Sequence, residues 1–293
     1  SDAAASASAG GLAGDEARRN DGINSLLAVE PNHLNPEREM RRLFGSGAIS
    51  ASRPDRRQHR QHRLRRIHKN LLFQPPERWL KPDIGLRMEH LETRAGAQYF
   101  KFCGSEQFQE LQRKYAFVAA TFQPNNLVEF LRENPYHPDT LLNLFYIYTH
   151  TGDFTTADSL LQRCLFCLET AFHPWFDITA GTCRLSFREE TNQIFFQVLF
   201  RYMGSLSRRG CHRSALEVAK LLLSLDPLED PMGCLFCIDH HTLRAREYDF
   251  LLDLVARYEV GGKTLSLYPN FAFSVALAKW FKERDGGGDR GGA

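Results

Sequence analysis

The chain has 293 residues, 43% hydrophobic and 25% charged, enough for one sizeable core or two small ones. A net charge of +2 excludes a chain that binds nucleic acid through its overall charge, although its charges are unevenly placed. No basic, apolar leader opens the sequence and no stretch is long and apolar enough to span a bilayer; seven cysteines in such a chain fit reduced thiols in cytosol or nucleus.

Residues 1–22 are rich in Ala, Ser and Gly and read as a disordered tail. Residues 23–95 predict an extended, basic segment with one short helix, capped by Asn35, carrying Pro36 at its first position and ending near Phe44-Gly45. Within it, Arg53, Arg56, Arg57, Arg60, Arg63, Arg65, Arg66 and Lys69 face a single acid, Asp55. Such a block suits nucleic acid or an acidic protein; a solvated tether is the plainer alternative. Pro75, Pro76 and Pro82 then predict an extended strap, with Trp79 pinning it to the core.

From Gly96 the pattern turns helical, and residues 96–284 predict a helical-repeat solenoid. Helices are expected over Glu106 to Ala120 and Asn125 to Arg132. A pair follows, Asp139 to His150 and Phe154 to Glu169, broken at Gly152. Ala171 to Arg188 reads as irregular. A second pair, Glu189 to Ser207 and Cys211 to Leu225, is broken at Gly210, and a third runs over Gly233 to Ala245 and Glu247 to Glu259. Asn270 to Glu283 is a final helix, and residues 285–293 are a disordered Gly-rich tail. Ala157 and Ala215 occupy the small position of a tetratricopeptide second helix, where the third pair has Phe250. The fold class is therefore all-α, a degenerate tetratricopeptide-like α-solenoid whose usual work is to hold other proteins.

The strongest chemical signal is the pair Cys164-Leu165-Phe166-Cys167 and Cys234-Leu235-Phe236-Cys237, with His240 and His241 close behind. Four thiolates at this spacing can hold zinc. Both motifs, however, fall inside predicted helices, with Cys164 at a small second-helix position and Cys234 and Cys237 at inner first-helix positions, where cysteine acts as a small apolar residue. Apolar packing is the preferred reading, and no cofactor is expected. Gly261-Gly262-Lys263-Thr264 has only the end of a phosphate-loop signature, since Arg257 stands where its first glycine belongs, and reads as a turn. Asp239 is expected to pair with Arg244 or Arg246, and Phe195, Phe196, Phe200 and Tyr202 to be core.

Ser105-Glu106-Gln107-Phe108, Pro135-Tyr136-His137, Ala171-Phe172-His173-Pro174, Arg209-Gly210-Cys211 and Leu267-Tyr268-Pro269-Asn270-Phe271 occur in the order and spacing of a known family. On these strings the chain resembles the transcription factor twenty-five family, which includes subunit one of the ribosome quality control complex. The likeness covers roughly residues 23–281. It implies a non-enzymatic adaptor on the large ribosomal subunit, helping ubiquitination and extraction of stalled nascent chains. The implied partners are a listerin-type ubiquitin ligase, ubiquitin, the nascent-chain elongation factor and the valosin-containing ATPase, in the cytoplasm and also the nucleus. The family's lysine-rich, acidic N-terminal region is mostly missing, and no catalytic residues carry over. The alternative is a nuclear DNA-associated transcriptional repressor, although no base-reading module is recognisable.

Overall fold

The computed structural model describes residues 22–50, 71–76, 79–260 and 262–287. Helices dominate it: α1 (residues 22–26), α2 (Pro36–Ser50), α3 (Glu106–Ala119), α4 (Pro124–Glu133), α5 (Pro138–His150), α6 (Phe154–Thr170), α7 (Glu190–Arg208), α8 (His212–Leu225), α9 (Ile238–Ala245), α10 (Tyr248–Arg257) and α11 (Pro269–Gly287). No described helix is long and apolar enough to cross a membrane.

The expectation that the chain turns helical at Gly96 is corrected by a hairpin. Strand β1 (Leu86–Arg94) pairs antiparallel with β2 (Ala97–Gly104), and Ala95 and Gly96 form the turn with φ of 48° and 77°. Two successive positive φ values give a tight turn whose twist suits the flanking strands. The stretch expected to be irregular supplies a third strand, β3 (Cys183–Leu185), parallel to β2. Phe100 and Phe102 of β2 point into the core, where Asn192 of α7 accepts the Phe102 N–H at 2.9 Å. A two-stranded turn, β4 (Glu259–Val260) with β5 (Lys263–Thr264), occupies the false phosphate-loop end.

Elsewhere helix boundaries follow local chemistry. Gly152 and Gly210 end α5 and α7 with φ of 82° and 77°. In each case the residue after the glycine reaches back to a carbonyl of the last turn, Asp153 N–H to Tyr148 and Cys211 N–H to Leu206, both at 2.9 Å. At the end of α9 the same left-handed position is held by Arg246, with φ of 61°. The next helix start differs between pairs. Asp153 caps α6 locally, accepting the Thr156 N–H at 3.0 Å. Cys211 offers α8 no side-chain cap. Instead Glu39 of α2 accepts the N–H groups of Arg213 and Ser214, both at 2.8 Å.

Every residue of α8 is buried, including Arg213, Glu217 and Lys220. It packs against α7, α9, β3 and α2. The small position reads as expected at Ala157 and Ala215, both fully buried. At the third pair Phe250 is half-buried, and the Lys220 ammonium lies 5.3 Å from its ring centre. The N-terminal segment belongs to the same core: Ile23, Leu27, Leu34 and Leu72 join the cluster built by α5 to α9. Trp79 pins the strap, its ring 5.4 Å from Phe73 and 5.8 Å from Phe166, with Arg163 stacked over it. Glu169 of α6 accepts the backbone N–H groups of Leu71 and Leu72. Asn35 Oδ1 accepts the Glu37 N–H at the start of α2, and the backbone breaks at Gly45, as the cap and glycine imply.

Candidate functional site: partner surfaces, thiols and histidines

The basic block from Arg53 to Lys69, with Arg56, Arg57, Arg60, Arg63, Arg65 and Arg66, lies outside the described residues. The described flanks are α2 on one side and Leu71, held by Glu169, on the other.

The thiol motifs are not equivalent. Cys164 and Cys167 sit inside α6 as expected, both buried. The second motif corrects the reading: Cys234 lies in a 3-10 turn and Cys237 immediately precedes α9, so neither is inside a repeat helix. Glycine 233, with φ of 66°, forces the break. Burial pushes the Cys167 and Cys237 thiols up to about 12, and those of Cys164 and Cys234 well above the usual range. Thiol exchange needs a thiolate, which burial at these sites disfavours.

Asp239 does not pair with Arg244 or Arg246. Its carboxylate accepts from Asn270 Nδ2 at 3.0 Å and Ser274 Oγ at 2.5 Å, fastening α11 to α9. Arg244 instead donates its Nε–H to His212 Nε2 at 3.3 Å. Phe195, Phe196 and Tyr202 are buried as expected, and Phe200 packs at the margin.

Exposed aromatics mark the surfaces most suited to partners. Trp175 is 64% exposed and stands edge-on to His90 and His173 at 5.5 and 5.3 Å, backed by buried Phe100 and Phe176. On α11, Phe273, Leu277 and Trp280 recur at helical spacing and all remain exposed. A groove of about 400 Å³ runs between the strap, α3 and the end of α4 with the loop that follows it; Ile84, Leu111 and Tyr136 are among the apolar residues lining it, and Asp83, Glu110 and Glu133 among the acidic ones. Sequence periodicity marked none of these, because an exposed apolar residue on a helix reads like a core one until the packing is known.

A third cluster gathers His212, His240 and His241 where the start of α8 meets α9. Burial lowers the affinity of His212 and His241 for protons, the latter to about 4. The His240-His241 dipeptide is visible in the sequence, but only the fold brings His212 to it.

These features define a mainly helical scaffold with several exposed aromatic patches. Residues 100–291 match the family model described as transcriptional repressor TCF25, and the chain belongs to the Tcf25 family. It is 42% identical over 259 residues to the mouse and to the human protein named ribosome quality control complex subunit TCF25. It is 34% identical over 270 residues to ribosome quality control complex subunit 1 of Schizosaccharomyces pombe. These alignments cover 86% of this chain in both mammalian cases and 90% in the yeast case, but only 37%, 37% and 39% of the relatives. The chain thus spans well under half the length of the curated relatives it matches. No solved structure matches it.

Proposed function

We propose that this chain acts in ribosome quality control as a non-enzymatic adaptor, helping ubiquitination and extraction of stalled nascent chains on the large ribosomal subunit. The observation that carries the reading is the 42% identity, over most of this chain, to proteins named as subunits of that complex. A helical scaffold with aromatic surfaces at Trp175 and along α11 supports it, since such anchors dominate protein contacts. The partners expected on these surfaces are the listerin-type ubiquitin ligase, ubiquitin, the nascent-chain elongation factor and the valosin-containing ATPase. Arg53 to Lys69 would supply salt-sensitive contact to ribosomal RNA or an acidic partner without sequence specificity. Bringing ligase and acceptor together raises their effective concentration, which needs no active site in the adaptor. The expected compartment is the cytoplasm, where stalled ribosomes are.

The family model's description as a transcriptional repressor favours a second reading, a nuclear DNA-associated repressor using the same basic block. Ribosome pelleting across a salt series separates the two, beside a variant with Arg56, Arg57, Arg60, Arg63, Arg65 and Arg66 changed to Glu. The adaptor reading expects the wild type to pellet with large subunits and ligase, and the variant to lose the ribosome while keeping the ligase. Recovery of the wild type on chromatin with no ribosome association overturns it.

A further inference from the structure

Of the three imidazoles at the α8–α9 contact, only His212 has a hydrogen bond described above, from Arg244. One ring nitrogen of each lies within 4.8 Å of the other two. His212 and His241 are only 9% and 4% exposed, whereas His240 faces solvent. The Nδ1 atoms of both buried rings lack any hydrogen-bond partner. An orphaned buried ring nitrogen is costly and uncommon, and two in one cluster point to something that would satisfy both. The nearby acids do not fill that role. Both oxygens of Glu39 are taken by the start of α8, and Asp239 is engaged by Asn270 and Ser274.

We propose that His212, His240 and His241 form a binding site for a divalent transition-metal ion of the zinc class. Imidazole nitrogen is the ligand type such ions favour, and three histidines leave a fourth position for water or a side chain brought by a partner. Bonds of about 2.0–2.1 Å require the nitrogens to draw somewhat closer than they stand, which ring rotation on the exposed His240 side allows. Arg244 is the opposing cation. Its contact to His212 Nε2 is long at 3.3 Å and its side chain is exposed, so it can swing into solvent. With Arg244 gone, the His212 proton moves from Nδ1 to Nε2, and the orphaned Nδ1 becomes the ligand. Because His212 starts α8 and the other two lie on α9, the ion would clamp the second helical pair to the third. The site is independent of the ribosome reading.

The test uses the whole chain, freed of metal with a chelator and titrated with cobalt(II) and then zinc. One equivalent of cobalt should bind with visible ligand-field absorbance and no thiolate charge-transfer band, and zinc should raise Tm. His240→Ala removes an exposed ligand, so the metal-free variant should melt as the wild type does, yet lose the zinc-induced rise and at least tenfold in affinity. Arg244→Ala should bind cobalt several-fold more tightly. Wild type that binds no cobalt, His240→Ala that binds as well as wild type, a thiolate band, or weaker binding by Arg244→Ala would each overturn the site.

Discussion

Glu217, fully buried on α8, accepts the backbone N–H of Glu30 at 2.8 Å and so ties the N-terminal segment to the most enclosed helix of the fold. The same carboxylate meets Lys220 Nζ at 2.9 Å and Arg213 Nη2 at 3.3 Å. Arg213 in turn reaches Glu247 at 2.9 Å, the residue that leads into α10. Three separated parts of the chain therefore share one buried group of charges.

Removing one member strands the others. Glu217→Ala leaves Lys220 and Arg213 desolvated with less compensation, and a loss of roughly 3–5 kcal/mol is expected in urea unfolding. Glu217→Met combined with Lys220→Met removes both charges and should unfold at higher urea than Glu217→Ala. Equal midpoints would mean that the buried charge pair is not what holds this region.

Glu39 performs for α8 what Asp153 performs for α6, but from another helix. Glu39→Ala should cost about 1–2 kcal/mol, in the range of a lost cap. Limited proteolysis should then cut between α2 and β1 sooner than in the wild type, because the same substitution detaches α2. Asp153→Ala, with a comparable cap loss, should leave that cleavage unchanged.

Two buried groups set opposite pH limits. Burial among Phe108, Tyr115 and Phe130 lowers His137 from 6.5 to about 4, and its Nδ1 accepts the Thr140 N–H while neutral. The unfolded chain takes up this proton first, so stability is full above 6.5 and is lost as pH falls toward about 4. Glu169 moves the other way: burial outweighs its bonds from the strap and raises it from 4.5 to about 7. Its contribution is present below 4.5 and is lost as pH rises through about 7. Thermal melts should therefore peak in weakly acidic buffer. Glu169→Gln should flatten the alkaline side alone; an unchanged alkaline fall would place its cause elsewhere.

Arg246 sits where Gly152 and Gly210 sit in the earlier pairs, with a left-handed backbone that costs a non-glycine residue about 1 kcal/mol. Arg246→Gly should relieve most of this and raise stability by up to about 0.5 kcal/mol, after allowing for glycine's freer unfolded state. A fall in the melting temperature would show that the Arg246 side chain contributes more than its backbone costs.

The parts of the fold visible in the sequence are those settled within a few residues. Glycine breaks, proline starts and the asparagine before Pro36 act locally, and helix boundaries followed from them. The hairpin was hidden because β1 is an edge strand whose outward residues Arg87, Glu89, Glu92 and Arg94 resemble a solvated loop, with Met88 its one buried side chain. Its extension to β3 depends on Cys183 to Leu185, far along the chain. Local sequence offers Asp239 only the nearest arginines, whereas Asn270 and Ser274 reach it from α11. The histidine cluster was half legible for the same reason: His240 and His241 are adjacent, and His212 joins them only through packing of α8 on α9.

The long reach of Glu39 to α8 also dictates an order of events during synthesis. Ile23, Leu27 and Leu34 are made early, yet the helices that bury them and the helix end that Glu39 caps are made late. A growing chain must carry this apolar segment unburied until residues 212–225 have left the exit tunnel, a window open to chaperones and to mispairing.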